Sequence, residues 1–194
     1  ISDQVSTRVI VVRVAKAEAG ENKPTQSQLI VGGTQADGSY TGMYAFLTAE
    51  QKVGYRPRIL AVPGYDTEEV TSALCVIAQN LRAFVYASCY GCKTMAEATA
   101  YRATFAYREL MLIWPDFLAW DTTTNATATA YATARALGLR AYIDQTVGWH
   151  KTLSNVGVQG VTGISASVFW DLQASGTDAD LLNEAGVTTL VRKD

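Results

Sequence analysis

The stretch RILAVPGYDTEEVTSALCVIAQNLRAFVYAS, Arg58–Ser88, decides the fold of this chain. Its first five residues form a short apolar run, which predicts a β-strand that ends at Pro63-Gly64. A helix is predicted next, with Asp66 as its N-cap and Glu69 three positions later to complete a capping box. The inward stripe of this helix is formed by Val70, Ala73, Leu74, Ile77 and Leu81. A second strand, Ala83–Ser88, completes a strand–helix–strand unit.

The same alternation continues for one more unit. Thr94 and Glu97 have the spacing of a capping box, so a helix is predicted from there to about Phe105. The apolar run Leu110–Trp114 predicts a third buried strand, which ends at Pro115-Asp116. Strands that alternate with helices at this spacing form a largely parallel sheet with helices on both faces. The sequence therefore predicts an α/β fold of the flavodoxin-like or doubly wound style.

Upstream of this core the sequence predicts one strand and one helix. Thr7–Val14, TRVIVVRV, is rich in β-branched residues and is typical of a strand. Ala15–Gln26 is polar and indicates a surface loop, and Gln35–Ser39 is a turn cluster. Apolar residues recur at helical spacing from Thr41 to Val53, which predicts a helix there.

Downstream of the core the pattern becomes less regular. Ala126–Arg140 alternates alanine with threonine, but its alanines and the flanking cap residues favour a helix over a strand. Residues 148–167 are rich in Gly, Ser and Thr and predict a loop, which is followed by a short apolar element, Val168–Trp170. Asp178–Gly186 predicts a short helix, and a final strand is predicted at Val187–Arg192.

Composition limits the classes of function. The chain has 194 residues, of which 48% are hydrophobic and 18% charged, and its formal net charge is −2. This is the composition of a folded chain, and residues 1–194 are predicted to form a single α/β domain. Because no Lys/Arg cluster occurs, the sequence gives no sign of a nucleic-acid or anionic-lipid partner. The longest uncharged run, Thr152–Trp170, is too polar to insert into a membrane.

A flavodoxin-like or hydrolase-like α/β enzyme is one function that the residues leave open. In open α/β sheets reactive side chains lie in the loops after the strands, and here those loops carry Asp66, Asp116 and Asp121. Each of the three also has a structural explanation as a cap or turn residue. Structural roles are favoured, so no catalytic residue is assigned.

The stretch Gly148–Ser165 holds the only histidine of the chain. A Ser-His-Asp triad would have to use His150, and the presence of Ser154 nearby does not by itself create an attack geometry. The glycines at positions 157, 160 and 163 fit neither the dinucleotide-binding nor the phosphate-loop fingerprint. A loop whose shape matters more than its side chains is therefore favoured.

The three cysteines cannot all pair with one another, which favours a reducing compartment. Cys89 and Cys92 form a CxxC motif, and Cys75 lies in a predicted helix. A redox motif needs a lowered thiol pKa, and a zinc site needs two further ligands, for which only His150 and Cys75 remain. Buried thiols without a metal or a cofactor are therefore expected.

Aromatic residues form the last candidate site. Three of them lie close together at and just after the end of the third strand of the core, and a fourth is next to the histidine. Such side chains anchor cores and loops, but partly exposed ones mark contact surfaces, and both interpretations stay open. The possible interface residues are Trp114, Phe117, Trp120 and Trp149.

Five stretches of the chain, taken in order, carry a resemblance to a known family. They are RPRILAVPGYDTEEV (Arg56–Val70), LRAFVYASCYGCKT (Leu81–Thr94), RELMLIWPDFLAWD (Arg108–Asp121), ATAYATARALGLRAYIDQTVGWHKTLSNVGVQGVTGIS (Ala128–Ser165) and DLLNEAGVTTLVRKD (Asp180–Asp194). The set resembles the tail sheath proteins of contractile-tailed bacteriophages, in particular those of temperate enterobacterial myoviruses and prophages. Family members are much longer, so the chain is expected to be a central fragment without the N-terminal arm and the C-terminal domain.

The resemblance implies a structural protein with no catalytic residue and no cofactor. In that family, subunits stack as hexameric rings around an inner tail tube, above a baseplate. Contraction of the sheath then drives the tube through the host envelope. The chain would belong to the virion after assembly in the host cytoplasm. Without its terminal arms it would be monomeric. The glycines of Gly148–Ser165 would serve backbone conformation and close packing, and a non-phage injection system with sheath architecture remains an alternative.

Overall fold

The computed structural model of this chain describes residues 1–21 and 23–191. The strands are β1 Gly33–Thr34, β2 Tyr40–Thr41, β3 Ile59–Leu60, β4 Phe84–Ser88, β5 Leu110–Ile113, β6 Phe117–Asp121, β7 Ala126–Ala130, β8 Gly163–Ile164 and β9 Val187–Thr188. The α-helices are α1 Gln26–Val31, α2 Ala49–Val53, α3 Glu68–Leu81, α4 Met95–Ala103, α5 Ala132–Thr146 and α6 Asp178–Glu184. A 3₁₀ helix, Gly42–Thr48, precedes α2.

The main sheet is parallel and has the strand order β3-β4-β5-β9. Successive side chains of β4 point to opposite faces of the sheet. Val85 belongs to a core that includes α3, and Tyr86 belongs to a core that includes α5. Helices therefore cover both faces, and the α/β class predicted from the sequence is confirmed.

The N-cap of helix α3 lies one residue later than predicted. Thr67 is the N-cap, and its hydroxyl accepts a hydrogen bond from the amide of Val70. The prediction that Asp66 caps this helix is wrong, because the Asp66 side chain turns inward and accepts from the amide of Ser88 at 2.6 Å. The predicted apolar stripe of the helix is buried except at Ala73, which is only partly buried against the core.

The capping box predicted for α4 is confirmed. The hydroxyl of Thr94 accepts from the amide of Glu97, whose carboxylate accepts in return from the amide of Thr94. The helix ends at Ala103, short of the predicted Phe105, and Phe105 instead packs in the core against the ring of Tyr101.

A second sheet is antiparallel and has the order β7-β6-β8. The predicted helix Ala126–Arg140 is wrong in its first third, because Ala126–Ala130 pairs with β6 and only Ala132 onwards is helical. A tight turn joins the two strands, and Asn125 adopts a left-handed φ of 51° there. Tertiary pairing thus overrides the helix preference of the alanines.

The segment before the core differs most from the prediction. Thr7–Val14 is not a strand, since it makes no ladder hydrogen bond within the described residues. Its side chains nevertheless alternate, with Val9 and Val11 exposed and Ile10 and Val12 half-buried. Helix α1 was not predicted. It begins at Gln26, the last residue of the predicted loop, and Thr25 and Gln28 form its capping box.

The remaining expectations are met in part. Gln35–Ser39 forms the predicted turn, between β1 and β2. The helix predicted from Thr41 starts with 3₁₀ geometry before it becomes α2. The loop at 148–167 contains the short strand β8, and Val168–Trp170 has no regular structure. The final strand is limited to β9, and the predicted end at Arg192 lies outside the described residues.

Candidate functional site

Asp66 lies at the carboxyl end of the parallel sheet but is enclosed. Its side chain is only 2% exposed, and Oδ2 accepts from the Ser88 amide while Oδ1 has no hydrogen-bond partner among the described residues. Burial raises the pKa of this carboxyl above its ordinary value, although the Ser88 hydrogen bonds oppose the shift. Because a general base must reach the proton that it removes, this geometry supports a structural role.

The structure does not bring all three candidate acids together in one site. Asp116 is half-buried, and burial raises its pKa against the opposing hydrogen bond from the amide of Ala132. Asp121 is the last residue of β6, and its pKa is lowered by hydrogen bonds from the Thr123 amide and the Thr124 hydroxyl in the exposed turn that follows. Asp66 and Asp116 are therefore near the end of the parallel sheet, whereas Asp121 organises the β6–β7 turn.

The cysteines have the properties of buried thiols. Burial raises the pKa of Cys75 and of Cys89 to about 12, and it also raises the pKa of the half-buried Cys92. A reactive thiol needs the opposite shift. No group of three His, Cys, Asp or Glu side chains suitable for a metal ion occurs at residues 1–21 and 23–191. The two thiols of the CxxC motif therefore have pKa values shifted away from those of a redox pair.

The loop after α5 is held against the helix by hydrogen bonds, and they do not surround a reactive group. Arg140 donates to the carbonyls of Lys151 and Gly148 and to the carboxylate of Asp144. His150 is exposed, and its ring packs edge-on against that of Trp149. The prediction of a loop with a required shape thus has a physical cause in the hydrogen bonds of Arg140.

Among the three evenly spaced glycines, only one must be glycine. Gly160 has a φ of 67°, and an added Cβ would approach the Arg135 guanidinium to 2.8 Å. At Gly157 a Cβ would meet no atom within 4 Å, and at Gly163 it would make an ordinary contact of 3.8 Å with Leu118. The expected backbone role therefore applies at Gly160 alone.

The four candidate aromatic residues separate into two pairs. Trp114 and Phe117 are buried, and the Trp114 indole donates to the carbonyl of Cys92 at 3.0 Å. Trp120 is 55% exposed on the antiparallel sheet, and Trp149 is 86% exposed in the loop after α5. Only the second pair is exposed at the surface, so the interface role stays a prediction for Trp120 and Trp149.

An apolar groove lies along β3 at the edge of the parallel sheet, and sequence reasoning missed it. It has a volume of about 820 Å³ and is lined by Thr7–Val12 and Val14 on one side and by Arg56–Pro63 on the other. Leu137 and Ala141 of α5 also line it. Only the fold brings these distant stretches together. Asp66, Asp116 and Asp121 are not among the lining residues, so the groove is a candidate contact surface rather than an acid–base site.

The start of the chain is fastened over this region. Asp3 forms a 2.8 Å ion pair with Arg135 of α5, and Gln4 exchanges hydrogen bonds with the backbone of Gln159. Gly138 of α5 permits close approach, because an added Cβ would lie 2.8 Å from the carbonyl oxygen of Ile1. We call residues 1–14 the N-terminal segment, and these contacts hold one end of it against α5.

No helix in the described part of the chain has both the length and the apolar character needed to cross a membrane. The features that remain are exposed aromatic side chains and an apolar groove on a body with a well-packed core. Such surfaces suit contacts between proteins.

Comparison with known proteins agrees with this picture. Residues 38–194 match the family model described as the phage tail sheath protein central domain. The chain is 62% identical over 197 aligned residues to the tail sheath protein of Escherichia phage P2 and 63% identical over 194 to the major tail sheath protein of Serratia phage KSP20. The matches cover 100% of this chain but 50% and 49% of those proteins, so the chain spans about half of their length.

Proposed function

Because this chain belongs to the phage tail sheath family, we propose that it forms the central body of a contractile tail sheath subunit. The relatives are structural proteins of the phage tail and are not enzymes, and a sheath protein is a component of the virion. The observation that carries the proposal is the identity of more than 60% along the whole chain to two tail sheath proteins.

The finer steps of the mechanism are part of the same proposal. Subunits stack as hexameric rings around an inner tail tube, the stack is anchored at a baseplate, and it assembles in the host cytoplasm. On triggering, the rings repack, and the shortened sheath drives the tube through the host envelope. A head-to-tail contact that does not close on itself generates a helical stack of this kind.

The internal packing of the chain suits a body that moves without deforming. The two cores on either face of the parallel sheet contain aliphatic and aromatic side chains at close contact. Close-packed cores of this kind do not deform continuously, whereas the interfaces between such bodies can switch between two packings. Contraction therefore changes the contacts between subunits and leaves each body unchanged. We propose that residues 1–194 act as one such body, since the N-terminal segment is fastened to α5 through Arg135.

Electron microscopy of the full-length protein tests the proposal. Purified protein is expected to form hollow tubes of stacked rings without any added substrate or cofactor. The isolated chain of residues 1–194 is expected to sediment as a monomer, because it spans only about half of its relatives. A full-length protein that stays monomeric under all assembly conditions would contradict the sheath role.

A further inference from the structure

The groove beside β3 has a positive rim around an apolar floor. Its cationic lining residues are Arg8, Lys16, Arg56 and Arg58. No Asp or Glu of the described residues lines it. Arg8 lies over the ring of Tyr55 at 4.1 Å, and Arg56 has only a long ion pair of 3.8 Å with Glu50. A segment that complements this groove must be apolar and must carry negative charge.

The same chain exposes a segment with those properties, Phe169–Leu172, which we call the turn because the Asp171 side chain closes an Asx turn with the Gln173 amide. Phe169 is 59% exposed and Leu172 is 80% exposed, and Asp171 is exposed between them. The sequence contains no Lys or Arg between Lys151 and Arg192, whereas it contains four acidic residues there. The turn is therefore an apolar projection in a stretch that carries only negative charge.

Hydrogen bonds hold this turn in one conformation. The amide of Phe169 donates to the Asp178 carboxylate at 3.0 Å, and the Phe169 carbonyl accepts from the amide of Ala179 at 3.2 Å. The amide of Gln173 donates to the Asp171 carboxylate at 2.9 Å. The turn is thus tied to the start of α6, and a pre-organised projection loses little conformational entropy when it binds.

The groove and the turn are associated with opposite edges of the parallel sheet. The groove runs along β3, the first strand in the order β3-β4-β5-β9. The turn is tied to α6, which packs against β9, the last strand. A contact between two such complementary surfaces is head-to-tail, so it can be repeated from copy to copy along a ring or a helix.

We infer that the Phe169–Leu172 turn of one copy docks into the groove between the N-terminal segment and β3 of a second copy. Phe169 and Leu172 fill the apolar floor, and Asp171 faces the cationic rim. This inference rests on the proposed function, because it describes one contact of the sheath. In this contact the groove and the turn are the two surfaces through which one copy binds the next.

Cysteine cross-linking in tubes of the full-length protein tests the contact directly. One variant carries Leu172→Cys and another carries Ile10→Cys, and the two are mixed before assembly and mild oxidation. A cross-linked dimer is expected in the mixture and not with either variant alone. Leu172→Cys mixed with Val76→Cys is the matched control, because Val76 is exposed on α3 and does not line the groove.

A charge reversal tests the rim. Asp171→Lys is expected to raise the protein concentration needed for tube assembly by about tenfold, because it places a like charge against the cationic rim. Lys16→Glu in the same chain is expected to restore most of the loss. Both side chains are exposed, so thermal unfolding of the unassembled protein is expected to stay unchanged.

The outcomes separate the contact from the sheath role. The inference would be overturned if tubes formed without a cross-link in the mixture, or if Lys16→Glu did not restore tube assembly to the Asp171→Lys variant. Either result would leave the sheath role intact. That result would assign the turn and the groove to another part of the longer chain or to another tail protein. If the unsubstituted full-length protein forms no tubes, the proposed function and the inference both fail.

Discussion

The parallel sheet and the antiparallel sheet of this chain are stabilised in different ways. In the parallel sheet, residues such as Val85 and Leu112 are completely buried because helices cover both faces. In the antiparallel sheet, Trp120 and most of β7 are exposed to solvent on one side. The free energy of folding is therefore concentrated in the first sheet, and the second can carry contacts with other molecules.

In the parallel sheet, polar groups are enclosed and serve the packing of the core. The Asp66 carboxylate is used to bind the end of β4, and the thiols of Cys75 and Cys89 are enclosed by the core. Exposed side chains occur instead on the loops and on the antiparallel sheet. Matched substitutions in the two sheets test whether their contributions to stability differ.

The largest effect is expected for a leucine in the parallel sheet. Leu112→Ala should lower the free energy of unfolding by about 2–5 kcal/mol, because it leaves a cavity in a fully packed core. Leu118→Ala on β6 is the matched substitution and should cost less than half as much, since Leu118 is only partly buried. Urea unfolding of both variants measures the difference. Equal losses of unfolding free energy would show that the two sheets contribute equally to stability.

The next effect concerns the pH dependence of stability. Burial raises the pKa of Asp66 in the folded state above its ordinary value of 3.8, so its contribution to stability is present below that value and is lost as pH rises through the folded pKa. Asp66→Asn keeps an oxygen for the Ser88 amide and removes the charge. Its stability relative to the unsubstituted protein should therefore rise with pH across this window.

Asp121 gives the opposite sign and serves as the control. Hydrogen bonds from Thr123 and Thr124 lower its pKa, so its contribution is present above the ordinary pKa and is lost as pH falls through the folded pKa. The stability of Asp121→Asn relative to the unsubstituted protein should therefore fall as pH rises. Urea titrations over a series of pH values measure both. The same sign for the two variants would contradict the assigned environments.

A smaller effect is expected from loosening the N-terminal segment. Arg135→Gln removes the ion pair with Asp3 and should make trypsin cleave after Arg8 and Arg13 severalfold faster, with little change in the core. Arg140→Gln is the matched control, because it should release the backbone carbonyl of the exposed Lys151, speed cleavage after that residue and leave the N-terminal segment protected. Mass spectrometry of the early fragments distinguishes the two. Unchanged cleavage after Arg8 would show that the ion pair does not hold the segment.

The smallest effect is expected at the most exposed tryptophan. Trp149→Ala should change the free energy of unfolding by less than about 0.5 kcal/mol, because the side chain is 86% exposed. The matched buried residue is Trp114, whose replacement by Ala should cost about 3–5 kcal/mol. Tube assembly of the full-length Trp149 variant then reports whether this residue contacts a partner. A large stability loss at Trp149 would place it in the core.

The sequence predicts those parts of the fold in which local and tertiary forces agree. The apolar runs at Ala83–Ser88 and Leu110–Trp114 are buried strands, and the Thr94–Glu97 box begins a helix. Ala126–Ala130 was misassigned because its composition suits a helix, whereas its partner strand β6 dictates its conformation. Thr7–Val14 has the alternation of a strand but lacks a hydrogen-bonded neighbour in the described chain.

The candidate surfaces were less predictable than the fold. Exposure separates Trp149 from Trp114, and the sequence indicates burial only for Trp114, which ends the apolar run of a predicted strand. The groove joins Ile10, Ile59 and Leu137, which are far apart in sequence. Its existence depends on how the N-terminal segment crosses α5, and the contacts that fix this path involve single residues such as Arg135.

Hydrogen exchange of the full-length protein before and after tube assembly tests most directly whether this is a preformed body that works through its surface. The account predicts that amides in β4 and β5 are already strongly protected and do not change, while Thr7–Val14 and Phe169–Leu172 gain protection in tubes. Protection that appears throughout β4 and β5 only on assembly would contradict it, because the body would then fold on its partner.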